Sequence, residues 1–380
     1  MPSFKSALLK HVDSIAGPAA CALMSRPQRQ AELRRLHDTD GPILVIRPGG
    51  IGDAVMLLPA LHALKAAAPA RRVDILCESR NEAVFKLAAP DSRTLAYDAA
   101  PLRTLRALRR NRYACVIDTE QFHNFSAVLA ALTRAPLRIG FKINTNRRGL
   151  YTHLVGYDLD GAEDQQFGRL LEAALGRAIE LPPRFGILKP MLAPPPAAAA
   201  PPGRFASASG RIAIHAGGSI ASKRCSAAVL AKAVHAAAGE LAPVIIGGKT
   251  DAAYAAEIES ALSAANPAMP PLNLCGKTTL AESASICAAS RVLLGPDSGI
   301  AHMATAAGAP SVVLFGPSDP RKWAPPEGAG IAVKVPLPCS PCSIFGYTKP
   351  CANYECMRGI TSASLTAALA ELLRTTNAHE

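Results

Sequence analysis

Aromatic side chains are scarce in this sequence, 5% of 380 residues, and only 18% of positions are charged. With few aromatics, no zinc-finger spacing and no ribonucleoprotein-type aromatic strand, the usual platforms for nucleic-acid recognition are missing, so nucleic acid is not an expected partner. No apolar run approaches the roughly 20 residues that a membrane-crossing helix needs. Acidic residues are the minority charge, 29 against 41 Lys and Arg, leaving a formal net charge of +12. That excess attracts something acidic: a small anionic donor, a phosphorylated glycan or an anionic membrane surface each fit. The 10 cysteines are scattered except for one late cluster. A chain long enough for two ordinary domains needs no disulfides to hold its core, so a reducing cytosol is the simpler setting. What is plentiful is apolar, 49% of residues, which marks a globular chain and not a disordered one.

Residues 1–41 precede the first clear strand and are expected to form a helical extension. Lys5 and Lys10 ahead of the apolar stretch 15–24 resemble a leader, but Asp13 before it and Pro18 within it argue against a cleaved signal peptide. Phe4, Leu8, Val12 and Ile15 fall at spacings of four, four and three, on one helical face, with Lys5, Lys10 and His11 off that stripe. Such a helix can rest on an anionic membrane surface or pack on its own domain. The sequence leaves both open.

From Pro42 short apolar runs alternate with helical stretches. Strands are expected at 43–46, 73–76 and 114–117, and helices at 55–67 and 126–132. A Pro- and Ala-rich stretch at 190–210 reads as a semi-rigid linker. Beyond it the alternation restarts, with strands at 211–215, 244–246, 292–294 and 311–315 and helices at 227–238, 252–264 and 300–307. This pattern predicts an α/β chain with two doubly wound parallel sheets and a cleft between two domains.

In such sheets ligands sit in loops beyond the carboxyl ends of the strands, and three of these loops stand out. Arg47-Pro-Gly-Gly-Ile-Gly-Asp53 joins the first strand to its helix. Asp53 follows Gly52 directly, so the GxGxxG spacing is missing and a dehydrogenase is disfavoured. Asp53 either partners the helix start or serves as a general base, and Arg47 and Gly50 are the acceptor-side candidates. The second loop, 215–224, combines Gly217 and Gly218 with Ser219, Ser222, Lys223 and Arg224. Bare backbone amides, hydroxyls and positive charge are what a diphosphate needs, although a solvated basic helix start has the same composition. The third runs Gly295-Pro-Asp297-Ser298-Gly299-Ile-Ala-His302 and opens a helix, with His302 one turn in beside Asp297 and Ser298.

These loops resemble those of the bacterial heptosyltransferases that build the lipopolysaccharide inner core, glycosyltransferase family nine. The likeness rests on Ile-Arg-Pro-Gly-Gly-Ile-Gly-Asp-Ala-Val at 46–55, Val-Ile-Asp at 116–118 and Arg138-Ile139-Gly140-Phe141. It continues through 215–223, Gly247-Gly248, 297–302, Phe315-Gly316-Pro317 and the late cysteines, covering nearly the whole chain after Pro42. It implies a GT-B fold of two Rossmann-like domains: an acceptor domain at 42–189, and a donor-nucleotide domain at 211–380 with a C-terminal helix. It also implies inversion without a catalytic metal. Residue by residue, Asp53 matches the proposed base, and Gly218, Ser219 and Lys223 match the diphosphate cradle. Asp251 sits where an acid meets the ribose hydroxyls. Asp297, Ser298, Gly299 and His302 match the motif holding the donor's phosphates and sugar. The implied reaction moves a heptose from ADP-heptose onto the lipopolysaccharide core or a related acidic, lipid-linked glycan, at the cytosolic face of the inner membrane. Arg224 and Cys225 stand where an aromatic is frequent, Thr119 to Asn124 lack a frequent basic residue, and the N-terminal extension is unusual.

Cys339, Cys342, Cys351 and Cys356 lie in the segment 339–356, the first pair at metal-knuckle spacing. Four thiolates could close a structural zinc site or hold an iron–sulfur cluster, but free thiols and disulfides fit the spacing too. Two other functions compete with transfer: a nucleotide-sugar epimerase or hydrolase of the same fold, and a non-catalytic nucleotide-sugar-binding protein.

Overall fold

The structure, a computed structural model, describes residues 4–25, 34–196, 210–217, 221–344, 347–348 and 351–377. Contacts divide the chain into two compact units, Met1–Pro182 and Pro183–Glu380.

The first unit opens with a helix, α1 (Phe4–Met24). The strands β1 (Ile43–Arg47) and β2 (Val73–Cys77) are buried at every position, as strands covered on both faces must be. Between them run α2 (Ile51–Met56) and α3 (Leu58–Ala67). The sequence pattern makes this one helix from 55. The chain instead turns helical at Ile51, where Asp53 accepts the Gly50 N–H at 3.3 Å, and the run breaks at Leu57 ahead of Pro59, which has no N–H to continue it. The unit continues through α4 (Glu82–Ala88), β3 (Arg93–Ala96), α5 (Pro101–Arg110), β4 (Cys115–Asp118) and α6 (Asn124–Leu132). It ends with β5 (Leu137–Phe141), β6 (His153–Val155) and α7 (Glu163–Leu175). The strands form one parallel sheet in the order β3-β2-β1-β4-β5-β6.

Leu44, Ile46, Leu76 and Val116 on one face of this sheet share a core with Cys21 of α1, Leu108 of α5 and Ala127 of α6. The N-terminal helix is therefore part of the unit's packing. Its Asp13 carboxylate accepts the N–H groups of Asn124 (3.0 Å) and Phe125 (2.6 Å), donors left open at the start of α6.

The second unit contains β7 (Arg211–His215), α8 (Ala227–Ala238), β8 (Ala242–Ile246), α9 (Ala252–Ala265), β9 (Leu272–Asn273) and α10 (Leu280–Ala288). Then follow β10 (Val292–Pro296), α11 (Gly299–Ala307), β11 (Ser311–Phe315), α12 (Pro320–Trp323), β12 (Gly330–Lys334), α13 (Glu355–Arg358) and α14 (Ser362–Asn377). Its parallel sheet runs β12-β11-β10-β7-β8-β9. Counted in chain order within each unit, the two sheets have the same topology. The chain thus forms the expected α/β class, two doubly wound Rossmann-like sheets. Residues 183–191 belong to the second unit: Gly186 and Leu188 donate to the carbonyls of Thr305 (3.0 Å) and Ala306 (2.7 Å), and Leu188 is fully buried.

Candidate active site

In each sheet the strand order reverses about one central pair, β1 and β4 in the first unit and β7 and β10 in the second. Crevices for ligands open at the carboxyl ends of such pairs. The loops singled out from sequence follow β1, β7 and β10.

In the first unit Gly49 has φ +106°, which favours glycine, and a side chain there would touch Arg47 and Asp53 at ordinary contact distance. Asp53 is half-buried at the start of α2, beside Gly50, whose own Cβ would lie 3.2 Å from its carboxylate. Arg47, the other acceptor-side candidate, lies beneath the loop. It is 2% exposed, and its guanidinium donates to the Pro48 carbonyl (2.7 Å), the Thr119 carbonyl (2.9 Å) and the Glu120 carboxylate (2.8 Å). Its fork turns inward under the loop and braces it. Phe167 packs beneath it, ring centre 5.6 Å from the guanidinium carbon.

Glu120 also accepts the N–H groups of Gln121 and Phe122, each at 3.0 Å. Burial alone would raise its carboxyl, but Arg47, His123 and Arg147 outweigh burial and hold it at about 2. Alongside, Arg147 pairs with Asp118 at 2.8 Å with both side chains fully buried, and Tyr151 donates to the same carboxylate at 2.6 Å. The loops after β1 and β4 are thus locked together by buried charge. Glu120 and Arg147 were not read as site residues. The only signal was the position of Glu120 just beyond a strand that ends at the switch point.

In the second unit Gly218 and Ser219 lie outside the described residues. Lys223, in a short 3-10 turn after β7, reaches Asp297 at the end of β10, with Nζ 2.7 Å from Oδ2 and 2.9 Å from the main-chain carbonyl. His302 Nε2 lies 3.5 Å from the other oxygen of Asp297. Asp297 is 5% exposed; burial would raise its carboxyl, yet Lys223 and His302 hold it well below the ordinary carboxylate range. Ser298 is the N-cap of α11 and Gly299 its first residue, but the Ser298 side chain makes no capping hydrogen bond. Its hydroxyl oxygen is buried and has no partner among the described residues. Four predicted residues, Lys223, Asp297, Ser298 and His302, therefore converge on the mouth of one helix.

Asp251 sits at the neighbouring loop, accepting the Gly248 N–H at 3.0 Å and lying 3.4 Å from Arg224. Arg224 stacks over the Tyr254 ring, 5.1 Å from its centre. Gly217 is confined between the two sides: a Cβ there would meet the His215 ring at 2.4 Å and the Asp251 carboxylate at 2.8 Å. Burial pushes the His215 imidazole down from 6.5 to about 4, so it is neutral under ordinary conditions. Sequence reading placed His215 in the loop without a role, and its part is to shape the turn.

The four late cysteines line one pocket together with Ser222 and Pro317. Their segment is tied to the loop after β11, Ser340 donating to the Gly316 carbonyl (2.6 Å) and Cys342 N–H to the Pro317 carbonyl (2.8 Å). None of them is in a disulfide. Among the described residues no three His, Cys, Asp or Glu are gathered closely enough to hold a metal ion. The expected zinc or iron–sulfur centre therefore has a suitable donor set but no tight side-chain cluster behind it.

The sequence profile of glycosyltransferase family 9 (heptosyltransferase) matches residues 102–354, more than half of the chain. Among curated proteins none matches. Solved structures share the fold. A glycosyl transferase family 9 protein from Veillonella parvula DSM 2008 superposes with a TM-score of 0.68 at 17% identity, over 92% of this chain and 99% of the other. The ADP-heptose lps heptosyltransferase II of E. coli gives 0.64 at 22% identity, over 88% and 99%. A bacterial iron-containing dodecameric glycosyltransferase, TibC from enterotoxigenic E. coli H10407, gives 0.57 at 16% identity, over 88% and 79%. The two doubly wound sheets are thus of the GT-B kind, and the chain belongs to glycosyltransferase family 9, the heptosyltransferases.

Proposed function

We propose that this glycosyltransferase moves a heptose from ADP-heptose onto the lipopolysaccharide core or a related acidic, lipid-linked glycan, with inversion and without a catalytic metal. It would act at the cytosolic face of the inner membrane. The observation that carries the donor half of this reading is the arrangement at the mouth of α11: a lysine clamped by a buried aspartate beside a serine whose buried hydroxyl has no partner among the described residues. Ammonium, hydroxyl and helix amides together suit the oxygens of a diphosphate. ADP-heptose is favoured because the E. coli relative of the same fold is named for it.

In the proposed reaction Asp53 takes the proton of an acceptor hydroxyl while that oxygen attacks the anomeric carbon of the donor. The bond from that carbon to the diphosphate oxygen breaks, and the nucleoside diphosphate leaves with the electron pair. Charge then grows on phosphate oxygens, where Lys223, Ser298 and the first amides of α11 would stabilise it. Asp297 holds Lys223 in place, and Asp251 would take the ribose hydroxyls. Asp53→Asn tests the role of the base: it should bind ADP as the parent does and lose turnover by about a hundredfold or more. Unchanged turnover would remove Asp53 from the mechanism. Donor cleavage at full rate without any acceptor would favour a hydrolase or epimerase instead.

We further propose that Cys339, Cys342, Cys351 and Cys356 bind a structural metal. The Cys-Ser-Pro-Cys spacing, the shared pocket and the Tyr354 N–H directed at Cys351 Sγ (3.3 Å) support this, as does the iron-containing relative of the same fold. The thiols would have to draw together, since tetrahedral zinc needs sulfur at about 2.3 Å. Elemental analysis of the purified chain should find one zinc, or iron, per protein and none in Cys339→Ser/Cys342→Ser. A metal-free, fully folded parent would refute it.

A further inference from the structure

The N-terminal helix presents its faces in an unusual way. It docks on α6 with Asp13, Gly17 and Cys21, an acid, a glycine and a thiol spaced four apart. A Cβ on Gly17 would stand 2.6 Å from that of Asn124, so the approach is close, and Cys21 is fully buried. The large aliphatic residues point the other way: Val12 is 42% exposed, Ile15 66% and Leu23 88%. Ala16, Ala19 and Ala22 complete the same exposed row, at helical spacing. A helix that only served its own core would turn Val, Ile and Leu inward.

The helices that share a core with α1 carry exposed charge of one sign only. From 99 to 157 the only carboxylates in the sequence are Asp118 and Glu120, and both are buried. That segment supplies α5 and α6, which share a core with α1. On α5, Arg103, Arg106, Arg109 and Arg110 are exposed, and Leu102 at its start is 68% exposed. The sequence of α1 adds Lys5 and Lys10, and its one acid, Asp13, is buried. No helix among the described residues is long and apolar enough to cross a membrane.

We infer that α1 and α5 form a docking face for an anionic lipid bilayer, with Val12, Ile15 and Leu23 entering the headgroup boundary and the arginines of α5 meeting lipid phosphates. An exposed aliphatic row on α1 and exposed arginines on α5, with no exposed carboxylate in 99–157, complement a surface that is apolar beneath and negative above. The inference deepens the membrane placement proposed above and does not depend on which sugar is moved.

Full-length protein is sedimented with vesicles of phosphatidylglycerol and phosphatidylethanolamine, and with phosphatidylcholine alone, at two salt concentrations. The parent should bind the anionic vesicles, more weakly at high salt, and leave the neutral ones. V12S/I15S/L23S and R103Q/R106Q/R109Q/R110Q should each bind on the order of tenfold less or worse, while melting as the parent does and keeping its ADP response. The inference is overturned if the parent ignores anionic vesicles, if it binds neutral ones equally, or if both variants bind as the parent does. It is also overturned if the serine variant only dissolves a dimer of this chain. Vesicle binding without any ADP response would sink the transfer reading and leave this face standing; the reverse result would do the opposite.

Discussion

Lys223 and Asp297 meet at 2.7 Å although 74 residues separate them in sequence, because β7 and β10 are neighbours at the point where the strand order reverses. Leu294 lies beside Ile214 in that pairing, so the chain ends of the two strands deliver their loops to one spot. The carboxylate is buried and the lysine caps it, which ties donor binding to the stability of the unit.

Removing one partner should therefore be costly. Lys223→Ala leaves Asp297 buried with His302 as its one remaining ion-pair partner among the described residues, and should destabilise by about 3 kcal/mol. Lys223→Ala/Asp297→Asn should regain part of that loss, since no uncompensated charge remains. Urea unfolding of the single and double variants measures the difference; equal midpoints for Lys223→Ala and the parent would mean the pair contributes little.

The buried pair under the first loop predicts a second effect. Glu120→Gln leaves Arg47 charged in a fully enclosed site and should cost about 3 kcal/mol. Turnover should fall further than ADP affinity does, because the loop it braces carries Asp53 and not the donor turn. Kinetics alongside calorimetry separate the two, and equal losses in both would assign Glu120 a purely global role.

Acid should weaken the second unit through His215. Its folded value, about 4, lies below the unfolded 6.5, so the unfolded chain binds the extra proton in this window. Stability from neutral His215 is present above 6.5 and is lost as pH falls towards 4, by up to about 3 kcal/mol. Melting temperature against pH should drop through that window in the parent and fall less in His215→Asn, which keeps a polar group near the Gly217 N–H.

Gly217→Ala places a methyl within 2.4 Å of the His215 ring and 2.8 Å of the Asp251 carboxylate. The turn must shift, at about 1–3 kcal/mol, and ADP binding should weaken with it. Thermal melting with and without ADP reads both effects.

Much of this site could be read from sequence because short apolar runs buried on both faces are self-evident, and the loops after them are where ligands bind. The strands at 211–215 and 311–315 and the helix at 227–238 were legible to the residue. The strands at the sheet edges were not. Residues of β3, β6, β9 and β12 are largely half-buried, so they lack the continuous apolar run that marks a central strand. The setting of Arg47 was hidden for a different reason. A charged residue beside a glycine loop suggests a ligand contact, and nothing local foretells that the Thr119 carbonyl and the Glu120 carboxylate, 73 residues on, help hold its guanidinium inward. The N-terminal stripe was visible, but nothing in its spacing revealed that Asp13, Gly17 and Cys21 would be the docked face.

The central claim is that the turn at Lys223 binds a nucleoside diphosphate. Melting of the full chain with saturating ADP, UDP or GDP measures it, since a ligand at about a hundred times its Kd adds about 2.7 kcal/mol. A clear rise with ADP that disappears in Lys223→Ala is the predicted result. No rise with any of the three, or an undiminished rise in Lys223→Ala, would contradict the account.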